Sequence, residues 1–390
     1  MNAIYLDHNA TTPVDPRVLE AMLPYLRERF GNASSKSHSF GWAGNEAVEA
    51  ARAHVALLLG ARPREIVFTS GATEANNIAL LGLFPPGGQP PEKNHIVTEA
   101  IEHHAVLDTV HELERRGVRV TLLRPDARGR ISAADVKAAI TPATRVVSIM
   151  AAQNELGTVN PIAEIGKVCH EAGVLFHTDA AQAAGKIPLD VEKMGIDLLA
   201  LSGHKFYAPK GIGALYVRGR SPRVDPSPIQ FGGGQERGIR PGTLNVPGIA
   251  GLGEACRIAR EDLASESLRL AAIRDRLELR ITRSLPGVSV NGDPAHRLPG
   301  TSSLSFEGVD ATSVIVSMPD VAISTGSACT TGNAEPSYVL RGIGLPDRLA
   351  NATLRFSVGR FTTEEEVDRA AGRVIETVEQ VRSRMAVARG

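Results

Sequence analysis

The sequence predicts an α/β protein: a large domain with a mainly parallel, seven-stranded sheet flanked by helices, joined to a smaller α+β domain. Three observations predict it. Between about residue 60 and residue 218, seven short apolar runs alternate with longer stretches, most of them helical in character. Strands alternating with helices build βαβ units and hence a parallel sheet. The runs are continuously Val/Ile/Leu-rich, as strands covered on both faces are. After residue 220 the texture changes to Pro/Ser-rich and glycine-rich chain, then a long amphipathic helix, then short strands.

The seven runs are Glu65–Thr69, His95–Thr98, Val118–Leu123, Arg145–Met150, Val174–His177, Asp197–Ser202 and Gly213–Val217. Between most of them lie segments of helical length; in Ala163–Ala172, Ile165 and Val168 would share one face. Ser221–Pro228 is rich in Pro and Ser, and Phe231–Thr243 holds five glycines. Gly248–Leu285 reads as one long Arg/Glu-rich helix, a spine between lobes. Strands are expected at Gly300–Phe306, Val321–Ser324 and Thr353–Ser357, with a last helix beginning near Thr363. The large domain is placed at residues 15–257. The small domain takes 1–14 and 258–390, including a loop at about 324–336.

Composition excludes several classes. The chain has 390 residues, 43 Lys plus Arg and 43 Asp plus Glu, so its net charge is zero. That balance argues against a nucleic-acid or anionic-membrane surface. No apolar run approaches the length of a membrane span. The start, Met1-Asn-Ala-Ile-Tyr-Leu-Asp, has neither a basic nor an apolar leader region. Three cysteines without CxxC or Cys/His ligand spacing form no disulfide framework and no standing metal site. A cytoplasmic location is expected.

Ligands of open α/β sheets sit at the carboxyl ends of the strands, so the residue after each run is informative. Thr69-Ser-Gly-Ala-Thr-Glu joins a strand to a helix start, where free N–H groups and hydroxyls can cradle a phosphate. It lacks the Gly-Lys-Ser/Thr of a nucleotide P-loop, and a plain helix cap by Ser70 or Thr73 is equally compatible. Asp179, at the end of the Val174 run, could meet a protonated heteroaromatic nitrogen or merely cap a helix. Of the eight lysines only Lys205 directly follows a strand-like run, where a desolvated amine could form a Schiff base. Lys137, Lys167 and Lys193 read as solvated helix residues, Lys36 and Lys93 as polar loop residues, and Lys186 and Lys210 as loop residues too. Cys329 stands in a small, glycine-punctuated loop with nothing to bury it, a candidate nucleophile. Cys169 and Cys256 read as helix core. His103 or His104 could stack on a ring or move protons, and Arg355 could grip a carboxylate. Phosphate cradle, aspartate and lysine at successive strand ends are together what pyridoxal phosphate requires.

These residues resemble the cysteine desulfurases of the NifS/IscS type, class V members of the fold-type-I pyridoxal-phosphate enzymes. The likeness runs from Tyr5-Leu-Asp-His-Asn-Ala-Thr-Thr-Pro to Arg355-Phe-Ser-Val-Gly-Arg. It is strongest at Phe30-Gly-Asn-Ala-Ser-Ser, Asn154-Glu-Leu-Gly, His177-Thr-Asp-Ala-Ala-Gln, Ser202-Gly-His-Lys, Gly232-Gly-Gly-Gln-Glu-Arg-Gly and Gly326-Ser-Ala-Cys. The resemblance implies that Lys205 tethers the cofactor and moves the Cα proton. It implies that Asp179 holds the pyridine nitrogen, Gln182 the ring hydroxyl, and His103 stacks on the ring as acid/base. Ala72, Thr73, Ser202 and His204 would bind the phosphate. Thr243 would reach the phosphate of a partner subunit, which implies a homodimer. Asn154 and Arg355 would take the substrate carboxylate.

Cys329 would accept the sulfur of L-cysteine as a persulfide, releasing L-alanine; beyond that it could at most ligate a transient iron–sulfur cluster. The sulfur would pass to an acceptor protein, such as an iron–sulfur scaffold or a tRNA-thiolation protein. A selenocysteine lyase or another class V enzyme, such as an aminotransferase, is the alternative. Small departures from the family pattern occur at Gln153, Ala208 and Pro241.

Overall fold

The computed structural model describes residues 3–85, 93–221, 223–325 and 336–387. All seven apolar runs become strands of one seven-stranded sheet. They are β2 (Ile66–Thr69), β3 (His95–Glu99), β4 (Arg119–Leu123), β5 (Thr144–Ser148), β6 (Leu175–Asp179), β7 (Leu198–Ser202) and β8 (Gly213–Val217), in the order β2-β8-β7-β6-β5-β3-β4. β8 runs antiparallel to both its neighbours, and the other six strands are mutually parallel. The ten residues between β7 and β8 are too few for a parallel crossover, which takes a dozen or more. Six carboxyl ends therefore share one sheet edge.

Helices cover both faces: α1 (Pro16–Arg27), α2 (Ser39–Leu59), α3 (Ala72–Leu83), α4 (His104–Arg115), α5 (Ala133–Ala139) and α6 (Ile162–Glu171). One core contains α2, α6 and the Phe68/Phe176 face of the sheet; another packs α3 and α4 on the opposite face around Val67, Ile96 and Leu215. Cys169 in α6 lies in the first core, as expected, with Ile165 beside it and Val168 at its margin. No α-helix joins β6 to β7: that segment is a series of turns, so Lys193 lies in a turn rather than the expected helix, paired with Asp190 at 2.8 Å.

α7 (Val246–Ser284) is one continuous helix of 39 residues, about 58 Å long at 1.5 Å per residue. Asn245 caps it, accepting from Gly248 N at 3.1 Å. Its first half buries Ile249, Leu252 and Cys256 against α2; its second half buries Leu270, Ile273, Leu277 and Ile281 in a separate core. A Cβ at Gly253 would lie 2.5 Å from Ala51 Cα, so that glycine lets α7 and α2 touch backbone to backbone.

This third core lies under an antiparallel sheet of order β12-β13-β10-β9. It comprises β9 (Val288–Asn291), β10 (Thr301–Phe306), β12 (Ser324–Thr325) and β13 (Thr353–Ser357). α8 (Ala311–Ser317) and α11 (Glu364–Val387) cover it, while α9 (Tyr338–Gly342) and α10 (Asp347–Ala350) are short connectors. The expected strand Val321–Ser324 is split between two sheets. β11 (Val321–Ala322) pairs in parallel with β1 (Ile4–Tyr5), while β12 pairs with β13. β1 and β9 are additions to the sequence reading. Among the described residues no helix is long and apolar enough to cross a membrane.

Candidate active site

After β1 the chain leaves the two-stranded β1–β11 sheet and threads along the carboxyl edge of the large one. Thr12 N donates to His204 O at 2.9 Å, and Asp15 N donates to Tyr207 O at 3.1 Å. That segment closes one side of a cleft of about 520 Å³, within the range of small-ligand sites. Ala72, Thr73, His103, Asn154, Asp179, Gln182, Ser202, His204, Lys205 and Arg355 all line it, drawn from five strand ends of the large sheet and from β13 of the small one. Thr243 does not; it is exposed, on the segment just before α7. Cys329 lies outside the described residues. Among the described residues no cluster of three or more His, Cys, Asp or Glu could hold a metal.

Lys205 follows β7 in a single 3-10 turn, Gly203–Lys205. Its Nζ donates to Asn9 O and Ala10 O, both at 2.8 Å. Asp179, the last residue of β6, is buried, with Oδ2 accepting from Asn76 Nδ2 at 2.7 Å and Oδ1 from Ala181 N at 2.8 Å. Two donors fix its orientation in the cleft wall. His103 caps α4 through Nδ1, which accepts from Ala105 N at 3.1 Å, so it is both a cap and a cleft residue. Burial holds its pKa below the usual 6.5; nearby Asp179 opposes that and Lys205 adds to it. His204 is driven further down, to about 4, by burial and then by Lys205. Both rings therefore stay neutral at pH 7. His104 instead lies against Tyr338 and Asp108.

The anion cradle is geometrically distinct from a capped helix. Neither Ser70 nor Thr73 caps α3; the cap position is Gly71, without a side-chain bond. The first N–H groups of a helix have no intrahelical partner and carry the positive end of its dipole. Gly71, Ala72 and Thr73 present that end to the cleft beside Ser202 and His204. A Cβ at Gly213 of β8 would lie 2.6 Å from Gly71 Cα, so this close approach needs glycine. Arg355, on β13, is 3% exposed. Its Nη1 donates to Asn154 O at 3.0 Å and its Nη2 to Asp7 Oδ1 at 2.8 Å, while Nε is buried without a partner.

A family model described as aminotransferase class-V matches residues 4–370. A protein named cysteine desulfurase IscS from Anaeromyxobacter dehalogenans is 53% identical over 382 residues, 97% of this chain and 93% of that one. The chain belongs to the class-V family, among its cysteine desulfurases. Solved structures agree. One described as a NifS-like protein superposes with a TM-score of 0.89 at 36% identity, over 97% of this chain and 99% of that chain. Another, described as SspA in complex with cysteine, gives 0.81 at 42% identity, over 92% and 99%. This is a family of pyridoxal-phosphate enzymes.

The residues present fit that cofactor. The uncapped α3 start suits a phosphate, the twice-anchored Asp179 suits a protonated ring nitrogen, and Lys205 Nζ lies at the same cleft. Arg355 Nε, an unpartnered buried donor, suits a substrate carboxylate. Sequence reasoning missed Asn9, Ala10 and Asn76, which hold Lys205 and Asp179. Asn9 sits inside the amino-terminal segment that carries the family likeness, and that was its signal. Asn76 had a weaker one, its position one turn into α3 on the buried side.

Proposed function

We propose that this protein converts L-cysteine to L-alanine and passes the sulfur, as a persulfide on Cys329, to an acceptor protein. The acceptor would be an iron–sulfur scaffold or a tRNA-thiolation protein. The observation that carries the reading is the convergence of Lys205, Asp179 and the open α3 terminus on one cleft whose far wall holds Arg355. Pyridoxal phosphate bound there, held by Ala72, Thr73, Ser202, His204, Asp179 and Gln182, supplies an electron sink conjugated to the substrate Cα.

Arg355 and Asn154 orient the substrate by its carboxylate. Lys205, released from Asn9 O and Ala10 O, takes the Cα proton and later returns one. Neutral His103 would exchange protons with the substrate thiol. The Cys329 thiolate attacks the substrate sulfur. The S–S bond would form as the Cβ–S bond breaks, the bonding pair staying on the carbon side, where the electron sink would stabilise it until a proton at Cβ completes alanine. One thiol plus cysteine thus yields one persulfide plus alanine, with no outside oxidant.

Exposed Thr243, outside its own cleft, is consistent with a role across a homodimer interface. The reducing conditions that sulfur transfer by a free thiol needs accord with a cytoplasmic location.

The test is alanine formed from L-cysteine with a reductant, wild type against Cys329→Ser, both loaded with cofactor. Alanine from the wild type at a rate about a hundredfold or more above the variant is expected. Equal rates would remove Cys329 from the reaction and favour a lyase.

A further inference from the structure

Lys186 is used by none of the steps above. Its place before Ile187-Pro188 reads as an ordinary loop. Its backbone does lie in a turn: its N donates to Ala183 O at 3.0 Å, and Ser267 Oγ of α7 donates to its carbonyl at 3.2 Å. The side chain, however, turns inward. Nζ donates to Gln182 Oε1 at 2.8 Å and to Asn9 Oδ1 at 3.3 Å. Gln182 Nε2 donates in turn to Asn9 O at 2.8 Å, one of the two carbonyls that receive Lys205 Nζ. The contacts thus run from Lys186 through Gln182 to the Asn9 carbonyl and on to Lys205. Asn9 is pinned from the small sheet as well, its N donating to Ser357 Oγ at 2.9 Å and its Nδ2 to Thr301 Oγ1 at 3.0 Å.

The turn is built to aim this side chain. Gly185 adopts φ 72°, and a Cβ there would lie 3.0 Å from Phe206 Cβ and Cγ, directly after Lys205. Burying an ammonium is unfavourable unless its donors are satisfied. Burial, then the charges of Lys205 and Arg355, draws the Lys186 pKa down to about 7. An apolar side chain of similar length would fill the space without that penalty. What an ammonium adds is direction. Its N–H groups donate to Gln182 Oε1 and Asn9 Oδ1, which turns Gln182 Nε2 toward the Asn9 carbonyl.

We propose that Lys186 is a positioning residue for the active site: it fixes the orientation of the Gln182 amide and the Asn9 carbonyl, and through them the seat of Lys205 and the N–H offered to the cofactor's ring oxygen. The inference deepens the desulfurase reading and rests on it for the cofactor's place in the cleft.

The test compares cofactor-loaded wild type, K186M, K186R, Q182M and the Q182M/K186M double variant. The measurements are the thermal midpoint, the visible absorption band of the bound cofactor, its loss rate to a carbonyl scavenger, and cysteine kinetics. K186M is expected to keep its thermal midpoint within about 3 °C. Its band should shift and its cofactor should leave about tenfold faster. Its kcat should fall about tenfold with KM within about twofold, and K186R should recover most of each loss. The double variant should be no worse than Q182M, because one residue acts through the other. An unchanged band and loss rate in K186M, or losses that multiply in the double variant, would overturn the proposal. Should K186M fail to fold, K186Q enters the same cycle with the same two outcomes. Band and loss rate are read without cysteine. A wild type that binds cofactor but makes no alanine would therefore sink the desulfurase reading and leave this one standing.

Discussion

Two acids near the cofactor site show how environment divides like side chains. Asp179 accepts hydrogen bonds on both oxygens, from Asn76 and Ala181. Glu102, beside His103, has both oxygens buried with no hydrogen-bond partner. Burial holds its pKa well above 4.5, and the charges of Glu99 and Asp179 push the same way; burial lifts Glu99 itself to about 8. Glu102 is therefore neutral in the folded protein at pH 7 and ionised when unfolded. For a group whose folded pKa is raised, stability is fully present below the unfolded value and is lost as pH rises toward the folded one. Glu102→Gln, which copies the neutral acid, should raise the urea midpoint of the protein at pH 8. At pH 3.5, below the unfolded value, the variant and wild type should unfold at the same urea concentration. Equal midpoints at both values would mean that Glu102 is ionised in the fold.

At the scale of elements, the phosphate cradle is a joint property of α3, β7 and β8. The Thr69-Ser-Gly-Ala-Thr segment is legible as a strand-to-helix turn. Its openness depends on Gly213, 142 residues downstream of Gly71, which leaves room for the Gly71 backbone. Gly213→Ala would also press its Cβ to 2.4 Å from Leu201 O in the neighbouring strand. We expect the variant to fold with lowered stability, about 1–3 kcal/mol, and to bind pyridoxal phosphate at least about tenfold more weakly in an equilibrium titration. Unchanged affinity would show that the helix start tolerates displacement. The antiparallel β8 follows from its short connection to β7, whereas the division of Val321–Thr325 between two sheets has the same long-range origin as the cradle. That division depends on which neighbour each strand finds, and a run's composition does not name its neighbour.

At the scale of the molecule, two lobes are joined by α7 and by a clamp at Arg360. Arg360 Nη1 donates to Asp15 Oδ2 at 2.7 Å and Nη2 to Glu266 Oε2 at 2.8 Å, and its guanidinium lies 4.3 Å over the Tyr207 ring. One small-lobe residue thereby ties the amino-terminal segment, α7 and the chain two residues past Lys205. Tyr207 itself adopts φ 71°, a left-handed conformation that a bulky residue keeps only when its surroundings enforce it. Arg360→Met leaves Asp15 paired with Arg17, which donates to both its carboxylate oxygens, but removes the Glu266 pair and the ring contact, and should cost about 1–2 kcal/mol by chemical denaturation. It should also lower the amplitude of cofactor binding. A loss under about 0.5 kcal/mol would reduce the clamp to an exposed ion pair.

Local pattern is enough to mark the seven strands of the large sheet, the long α7 helix, the buried Cys169 and Cys256, and the strand-end positions of Asp179 and Lys205. Those features follow from local periodicity and from the rule that parallel strands deliver ligands at their carboxyl ends. The cleft residues inferred from family likeness also meet there, Thr243 aside, because each lies at or just beyond an element end that the sheet order brings to one edge. The folded chain alone reveals that Asn9 and Ala10 seat Lys205, that Asn76 holds Asp179, and that Lys186 faces inward. Apart from the Lys186–Gln182 bond, four residues apart, these contacts span from 103 residues, for Asn76 and Asp179, to 196, for Lys205 and Asn9. No local pattern encodes a hydrogen bond between segments that far apart. A lysine before Ile-Pro looks the same in sequence whether its ammonium meets water or, as here, a buried glutamine oxygen.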